Sequence, residues 1–119
     1  MSTLNVSNIT DGTTTVGTSY VVNGSAKAWI FFQGTGTVNV LDSFNISSVD
    51  DNGTGNYDLN YASSFSSANI SPVGTSNWRG VLTHDAYSAT DTNLATREGG
   101  SSSKGDRGRL SVTVHGDLA

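Results

Sequence analysis

Residues Ala26–Tyr61 read AKAWIFFQGTGTVNVLDSFNISSVDDNGTGNYDLNY, and the pattern in this stretch decides the fold class. It combines a continuous apolar run, Ala28–Phe32, with segments in which apolar and polar residues alternate. Gly34-Thr35-Gly36 and Asn52-Gly53-Thr54-Gly55 punctuate those segments. A period of two places alternate side chains on one sheet face, and the glycines let the backbone turn between strands. The stretch therefore predicts the antiparallel centre of a small all-β domain. In the apolar run, Trp29 and Phe31 share one face and Ile30 and Phe32 the other. A strand that is apolar on both faces belongs at the centre of the fold, or has one face in a subunit interface.

The chain of 119 residues and 12.4 kDa suits one domain with one core. Charged residues make up only 13%, about half the usual share of ~25%. Ser, Thr, Asn and Gly take their place, which suits strands and turns rather than charge-driven disorder. Hydrophobic residues, at 34%, are sparse, so neighbouring subunits are expected to supply part of the burial. The net charge of −4 and six scattered basic residues offer no stripe for phosphates, which argues against nucleic acid as a partner. With no cysteine there are neither disulfides nor thiolate metal sites. No apolar run approaches the ~20 residues of a membrane span. MSTLNVSNIT lacks the features of a secretion signal, so synthesis in a cytosol and no membrane insertion are expected.

Outward from the central stretch, Thr3–Asn8 predicts a short strand or an extended arm within residues 1–10, with Leu4 and Val6 alternating. Asp11-Gly12 predicts a turn and Thr13–Val22 a strand; Asn23-Gly24 then reads as a hairpin turn. Phe44, Ile46 and Val49 read as one further run. Asn56–Tyr61 is the cleanest strand, with Tyr57, Leu59 and Tyr61 on one face. Pro72 makes Ile70–Val73 an edge or bulge element, because it cannot donate to a ladder. Trp78–Thr83 and Leu94–Glu98 read as short strands, with a weak pattern between His84 and Asn93. Gly99–Gly108 reads as a flexible loop, and Leu110, Val112 and Val114 form the last strand. No stretch has sustained helical spacing. The expected fold is an antiparallel β-sandwich or jelly-roll-like domain over residues 1–119, with about eight to ten short strands.

Chemistry-bearing motifs are sparse. Asp50–Asn56 resembles a calcium loop, but its twelfth position is Tyr61 rather than an acidic residue, so a hairpin turn accounts better for it. His84 and His115 form no spaced ligand pair. No serine lies in a nucleophile-elbow motif, and Glu98 is the sole glutamate, which disfavours a paired-carboxylate site. An enzyme, a metal and a cofactor are therefore not expected. The six Asn-x-Ser/Thr triplets follow from an Asn- and Ser-rich composition. Aromatics give the remaining lead. Core packing is the expected role of Trp29 and of Tyr57 or Tyr61, while Trp78 and Tyr87 lie in a polar context suited to a surface contact.

The segment Gly24–Tyr61 resembles a module of tailed-phage structural proteins, particularly those of marine and cyanobacterial phages. Lys27-Ala28-Trp29, Gly34–Thr37, Ser43–Ser48 and Asp51–Tyr57 carry the resemblance, and the opening Ser2–Val6 and closing Val112–Ala119 are similar to it as well. The resemblance implies a non-enzymatic virion component, trimeric, with no catalytic or receptor-binding residues carried over. Such modules usually follow an attachment domain and shaft, for which this sequence leaves no room. It is therefore expected to be a capsid decoration (cement) protein docked on the major capsid protein or another virion protein. The alternative is a tail-fibre tip adhesin that binds a host surface glycan. The candidate partner-binding residues are Leu4, Val6, Trp29, Phe31, Trp78 and Tyr87.

Overall fold

The computed structural model describes residues 1–78, 80–98 and 102–119. Ten strands and one short helix follow in order: β1 (Asn8–Thr10), β2 (Thr15–Gly17), α1 (Thr18–Gly24), β3 (Ala28–Gln33), β4 (Asn39–Phe44), β5 (Ile46–Asp51), β6 (Asn56–Tyr61), β7 (Ser71–Ser76), β8 (Gly80–Tyr87), β9 (Asp91–Glu98) and β10 (Leu110–His115). Two four-stranded antiparallel sheets stack as a sandwich. Sheet I has the order β4-β3-β10-β7, and sheet II has the order β5-β6-β9-β8. The all-β antiparallel class read from the sequence is the class observed.

Alternation explains the core. Ala28, Ile30 and Phe32 of β3 and Leu110, Val112 and Val114 of β10 point inward from sheet I. Tyr57, Leu59 and Tyr61 of β6 meet them from sheet II with Leu94 of β9, and Phe65 closes one end. Phe32 and Tyr57 meet edge to face at 5.4 Å, as do Tyr61 and Phe65 at 4.8 Å. Two expectations change at β3. Its inward face is core as anticipated, but Trp29 points outward, so its expected core role is not what the structure has. The strand is central in sheet I without being covered on both faces.

The run Phe44–Val49 also divides. Phe44 ends β4 in sheet I and Ile46 begins β5 in sheet II, with Asn45 alone between them. Asn45 sits at φ 57°, a left-handed conformation that Asn tolerates better than most residues. Its amide donates to the carbonyls of Lys27 (3.0 Å) and Ser63 (3.1 Å), and its Oδ1 accepts from the Ser63 N–H (2.6 Å). The Asn45 carbonyl also accepts from the Ala62 N–H. One side chain thus ties the start of β3 and the exit of β6 to the corner.

At the other end of the sandwich, Asp106 performs a similar task. Its Oδ1 accepts from the Gly55 N–H at 2.7 Å and lies 2.9 Å from the Tyr57 hydroxyl, which also lies 2.7 Å from the Gly34 carbonyl oxygen. Gly55 has φ +62°, and a Cβ there would come within 2.7 Å of the Gly105 nitrogen. That contact demands glycine. The Gly34 N–H donates to the Arg107 carbonyl, and the Gly105 N–H to that of Thr96. The flexibility read for Gly99–Gly108 therefore does not extend to Gly105–Arg107; Gly99, Gly100 and Ser101 lie outside the described residues.

Residues 8–24 depart most from expectation. The strand anticipated over Thr13–Val22 stops at Gly17, and helix α1 takes over, so Asn23-Gly24 ends a helix instead of turning a hairpin. β1 has three residues and is exhausted by pairing with β2. Beyond Gly17 an extended chain has no ladder partner, whereas a helical turn satisfies its backbone internally. The Thr18 hydroxyl fixes the change of direction by donating to the carbonyls of Val6 and Ser7. The Asp11-Gly12 turn forms as anticipated, with Asp11 Oδ1 accepting from the Thr13 and Thr14 N–H groups. Those two bonds hold the Asp11 carboxyl below its ordinary value, the Thr14 bond contributing most.

Two measurable consequences follow from the corner and the staple. Asn45→Ala loses three hydrogen bonds and a tolerated left-handed residue, and should lower unfolding stability by about 2–4 kcal/mol in urea titrations. Asn45→Gly should recover only the backbone share, about 1 kcal/mol. Burial and then the Asp106 carboxylate raise the Tyr57 pKa above the ordinary 10.0. Tyr61 is also raised, chiefly by burial and further by Asp91, against the opposing hydrogen bond from Thr92. Below the ordinary tyrosine value their contribution is intact. Above it the unfolded chain ionises first, so stability falls as pH rises. Tyr57→Phe should make that alkaline decline shallower, as read by chemical denaturation on both sides of pH ~10.

Candidate functional site

The six candidate residues occupy four separate places. Leu4, at 82% exposure, and Val6 belong to the amino-terminal segment that precedes β1. With Ile9, Val21 and Val22 they line an open concavity of about 410 Å³. No residue from Met1 to Ser25 is buried. A lone hairpin and a seven-residue helix are both marginal in water. Ordering each residue costs about 1–2 kcal/mol of backbone entropy. A unit with no fully buried apolar side chain gains little from burial to set against that cost.

Trp29 and Phe31 stand on the outer face of sheet I, each 36% exposed. The register places Phe44, Trp29, Thr113 and Val73 in one row across β4, β3, β10 and β7, and Asp42, Phe31, Ser111 and Thr75 in the next. Phe44 is 56% and Val73 60% exposed. Sequence reasoning did not single out these two as surface residues. Phe44 had been joined to Ile46 across the corner, and Val73 sits beside Pro72 in a segment with little alternation. The face is asymmetric: large aromatics crowd the β4–β3 half, while Val73, Gly74, Thr75, Ser111 and Thr113 line a shallow depression of about 180 Å³ on the β10–β7 half. Among the described residues of these four strands, Asp42 is the only carboxylate on this face, and no lysine or arginine joins it.

The outer face of sheet II is its chemical opposite. Asn93 donates to Asn56 and to Asp58 Oδ1, Asn52 donates to Asp58 Oδ2, and Asn60 donates to Ser48 and to Asp50. These amide–carboxylate pairs form a wet, self-satisfied surface. The Asp50–Gly55 stretch is the turn between β5 and β6, where Asp51 Oδ1 accepts from the Gly53 N–H. Among the described residues no group of three or more His, Cys, Asp or Glu is placed to hold a metal ion.

Trp78 and Tyr87 do not meet. Trp78 lies in the β7–β8 turn, just before β8, and Tyr87 ends that strand seven residues on from Gly80, roughly 23 Å along it at ~3.3 Å per residue. Trp78 is 85% exposed at φ 63°, a conformation that a bulky residue adopts only under constraint. The constraint comes from Asn77, whose N–H donates to the Arg109 carbonyl and whose Oδ1 accepts from the Arg109 N–H. Arg109 in turn donates to Gln33. Asn77, the residue before Trp78, lies against Gly108, while Tyr87 packs edge to face on His84 at 5.1 Å. Elsewhere on β8, Asp85 lies 3.2 Å from the Lys104 ammonium and 3.4 Å from the Arg97 guanidinium. Desolvation pushes its carboxyl up, but Lys104 and then Arg97 outweigh it and hold the pKa below the ordinary value.

Among the described residues no helix is long and apolar enough to cross a membrane. No protein family, curated protein or solved structure matches the chain. The strained Trp78 gives a direct test of local design. Trp78→Asn should raise unfolding stability by about 0.5–1 kcal/mol by relieving the left-handed conformation. Acrylamide should also quench the wild-type tryptophan emission in two classes, with the more accessible class lost in this variant.

Proposed function

We propose that the chain is a non-enzymatic surface protein of a tailed-phage virion, docked on the capsid as a decoration protein. The observation that carries this reading is the amino-terminal unit: no residue from 1 to 25 is fully buried, and Leu4, Val6, Ile9, Val21 and Val22 line one concavity. Such a unit is a docking element awaiting a surface. The extended residues around Thr3–Asn8 suit addition to an exposed strand edge, where main-chain hydrogen bonds give affinity and alternate side chains enter pockets. The apolar outer face of sheet I supports assembly as well, since scattered apolar residues are ordinary on a surface but a row of them is not. Oligomerisation multiplies modest docking contacts through effective concentration.

One observation favours a second reading. Trp78 is an exposed aromatic held in a strained turn, and an indole face stacks on the apolar face of a sugar ring. A tail-fibre tip that binds a host surface glycan would use Trp78 and the neighbouring Gly105–Gly108 segment, without Tyr87. The two readings differ in stoichiometry. Quantitative mass spectrometry of purified virions should find the protein at a copy number comparable with that of the major shell protein. Deleting residues 2–7, which contribute to no strand or helix, should release it from particles while leaving the sandwich folded. A handful of copies per particle, with host binding abolished by Trp78→Ala, sinks the decoration reading in favour of the adhesin.

A further inference from the structure

The outer face of sheet I is complementary to itself, and we infer that it pairs with the same face of a second copy about a two-fold axis. The axis runs along the strands between β3 and β10, in the plane between the two copies. This rotation keeps each residue row in register and exchanges the two halves of the sheet. β3 of one copy then lies over β10 of the other, and β4 over β7. In the first row Trp29 meets the partner's Thr113, and Phe44 meets the partner's Val73. In the second row Phe31 meets the partner's Ser111, and Asp42 meets the hydroxyl of the partner's Thr75. The aromatic ridge of each copy enters the depression of the other, twice over.

The chemistry of the chain supports a second copy as the occupant. Aligned sheets pack about 10 Å apart, a gap that large side chains fill when small ones face them. The rows given by the strand register set large against small at each of the first-row positions. A two-fold contact needs one self-complementary patch, whereas a threefold ring needs two different ones. Charge agrees. The pairing buries little charge, because Asp42 is the only carboxylate on the face and finds a hydroxyl donor. The carboxylates Asp50, Asp58 and Asp91 stay on the far sheet, so the −4 charges of two copies keep apart.

The area is sufficient. Four strands of six residues make a face of roughly 19 × 20 Å. Covering its corrugated surface on both copies removes on the order of 1,000–1,300 Å², at the lower edge of specific interfaces. The pairing is therefore expected in the micromolar range, visible at working concentrations and reversible on dilution. It depends on no assumption about where the protein acts.

Sedimentation equilibrium of the full chain should give a mass twice 12.4 kDa, falling to one chain on dilution. Phe44→Arg and Val73→Asp both alter exposed side chains, and each alone should weaken the pair at least tenfold. Combining them in one chain should restore it, because each introduced arginine faces the partner's introduced aspartate while the two lie at opposite edges of their own sheet. Circular dichroism and the urea midpoint establish that each variant is folded. Should a variant fail to fold, the cysteine-free background gives a second route. Mixed Phe44→Cys and Val73→Cys chains should crosslink to each other with a short bis-maleimide faster than either does alone.

A monomer at all concentrations overturns the inference, as do a trimer, a dimer indifferent to both single substitutions, and a double variant no better than the singles. A monomer that is nevertheless abundant on virions overturns the pairing and leaves the decoration reading standing. A dimer absent from virions does the reverse.

Discussion

The sandwich depends on one residue holding a conformation that most others resist. Asn45 turns the chain from one sheet to the other with no loop, and its side chain supplies bonds that a longer connection would draw from its own backbone. Two strands that would otherwise run on as one are thereby set in separate layers. The position of β5 beneath β4 fixes where β6 must pair, and β6 carries Tyr57, Leu59 and Tyr61 into the core. The inward rows of β3, β6 and β10 supply most of the core from three strands.

How much of this could be read from residues alone depended on the range of the physics involved. Asn56–Tyr61 and Leu110–Val114 were legible because alternation is local and both strands have one buried face. The Phe44–Val49 break was not legible, because Asn45 acts through Lys27 and Ser63, eighteen residues away on either side. Helix α1 was hidden by β-branched residues whose strand preference is overridden when the pairing partner runs out. The weak pattern from His84 to Asn93 conceals the β8–β9 hairpin, where a register shift between His84 and Ala86 breaks the alternation. The same limits apply to the candidate surfaces. The spacing put Trp29 and Phe31 on one face, though Trp29 was expected in the core, and the residues that complete their rows, Phe44 and Val73, are neighbours only through cross-strand register. Trp78 and Tyr87 looked like one site in sequence and lie at opposite ends of a strand.

The two outer faces differ in how their side chains are satisfied. Sheet II spends its polar side chains on one another and presents water with a saturated surface. Sheet I leaves Trp29, Phe31 and Phe44 partly exposed on its outer face. The amino-terminal unit offers a second exposed apolar surface, remote in kind from the first because it is built on a short strand pair and about two helical turns. On the proposed reading, one surface would join a like copy and the other an unlike one.

The strand order has a consequence for how the molecule comes together in time. β10 follows every other strand in sequence, yet lies between β3 and β7 in sheet I. Until it inserts, the β3–β4 hairpin and β7 have no partner in common, and each shows an open ladder edge to its surroundings. Closing the sheet joins segments about eighty residues apart, the kind of distant pairing that slows folding. Insertion of β10 between two waiting edges is the pairing in sheet I that costs the most chain entropy to close. The interval before it is when the chain is most open to pairing with a stranger.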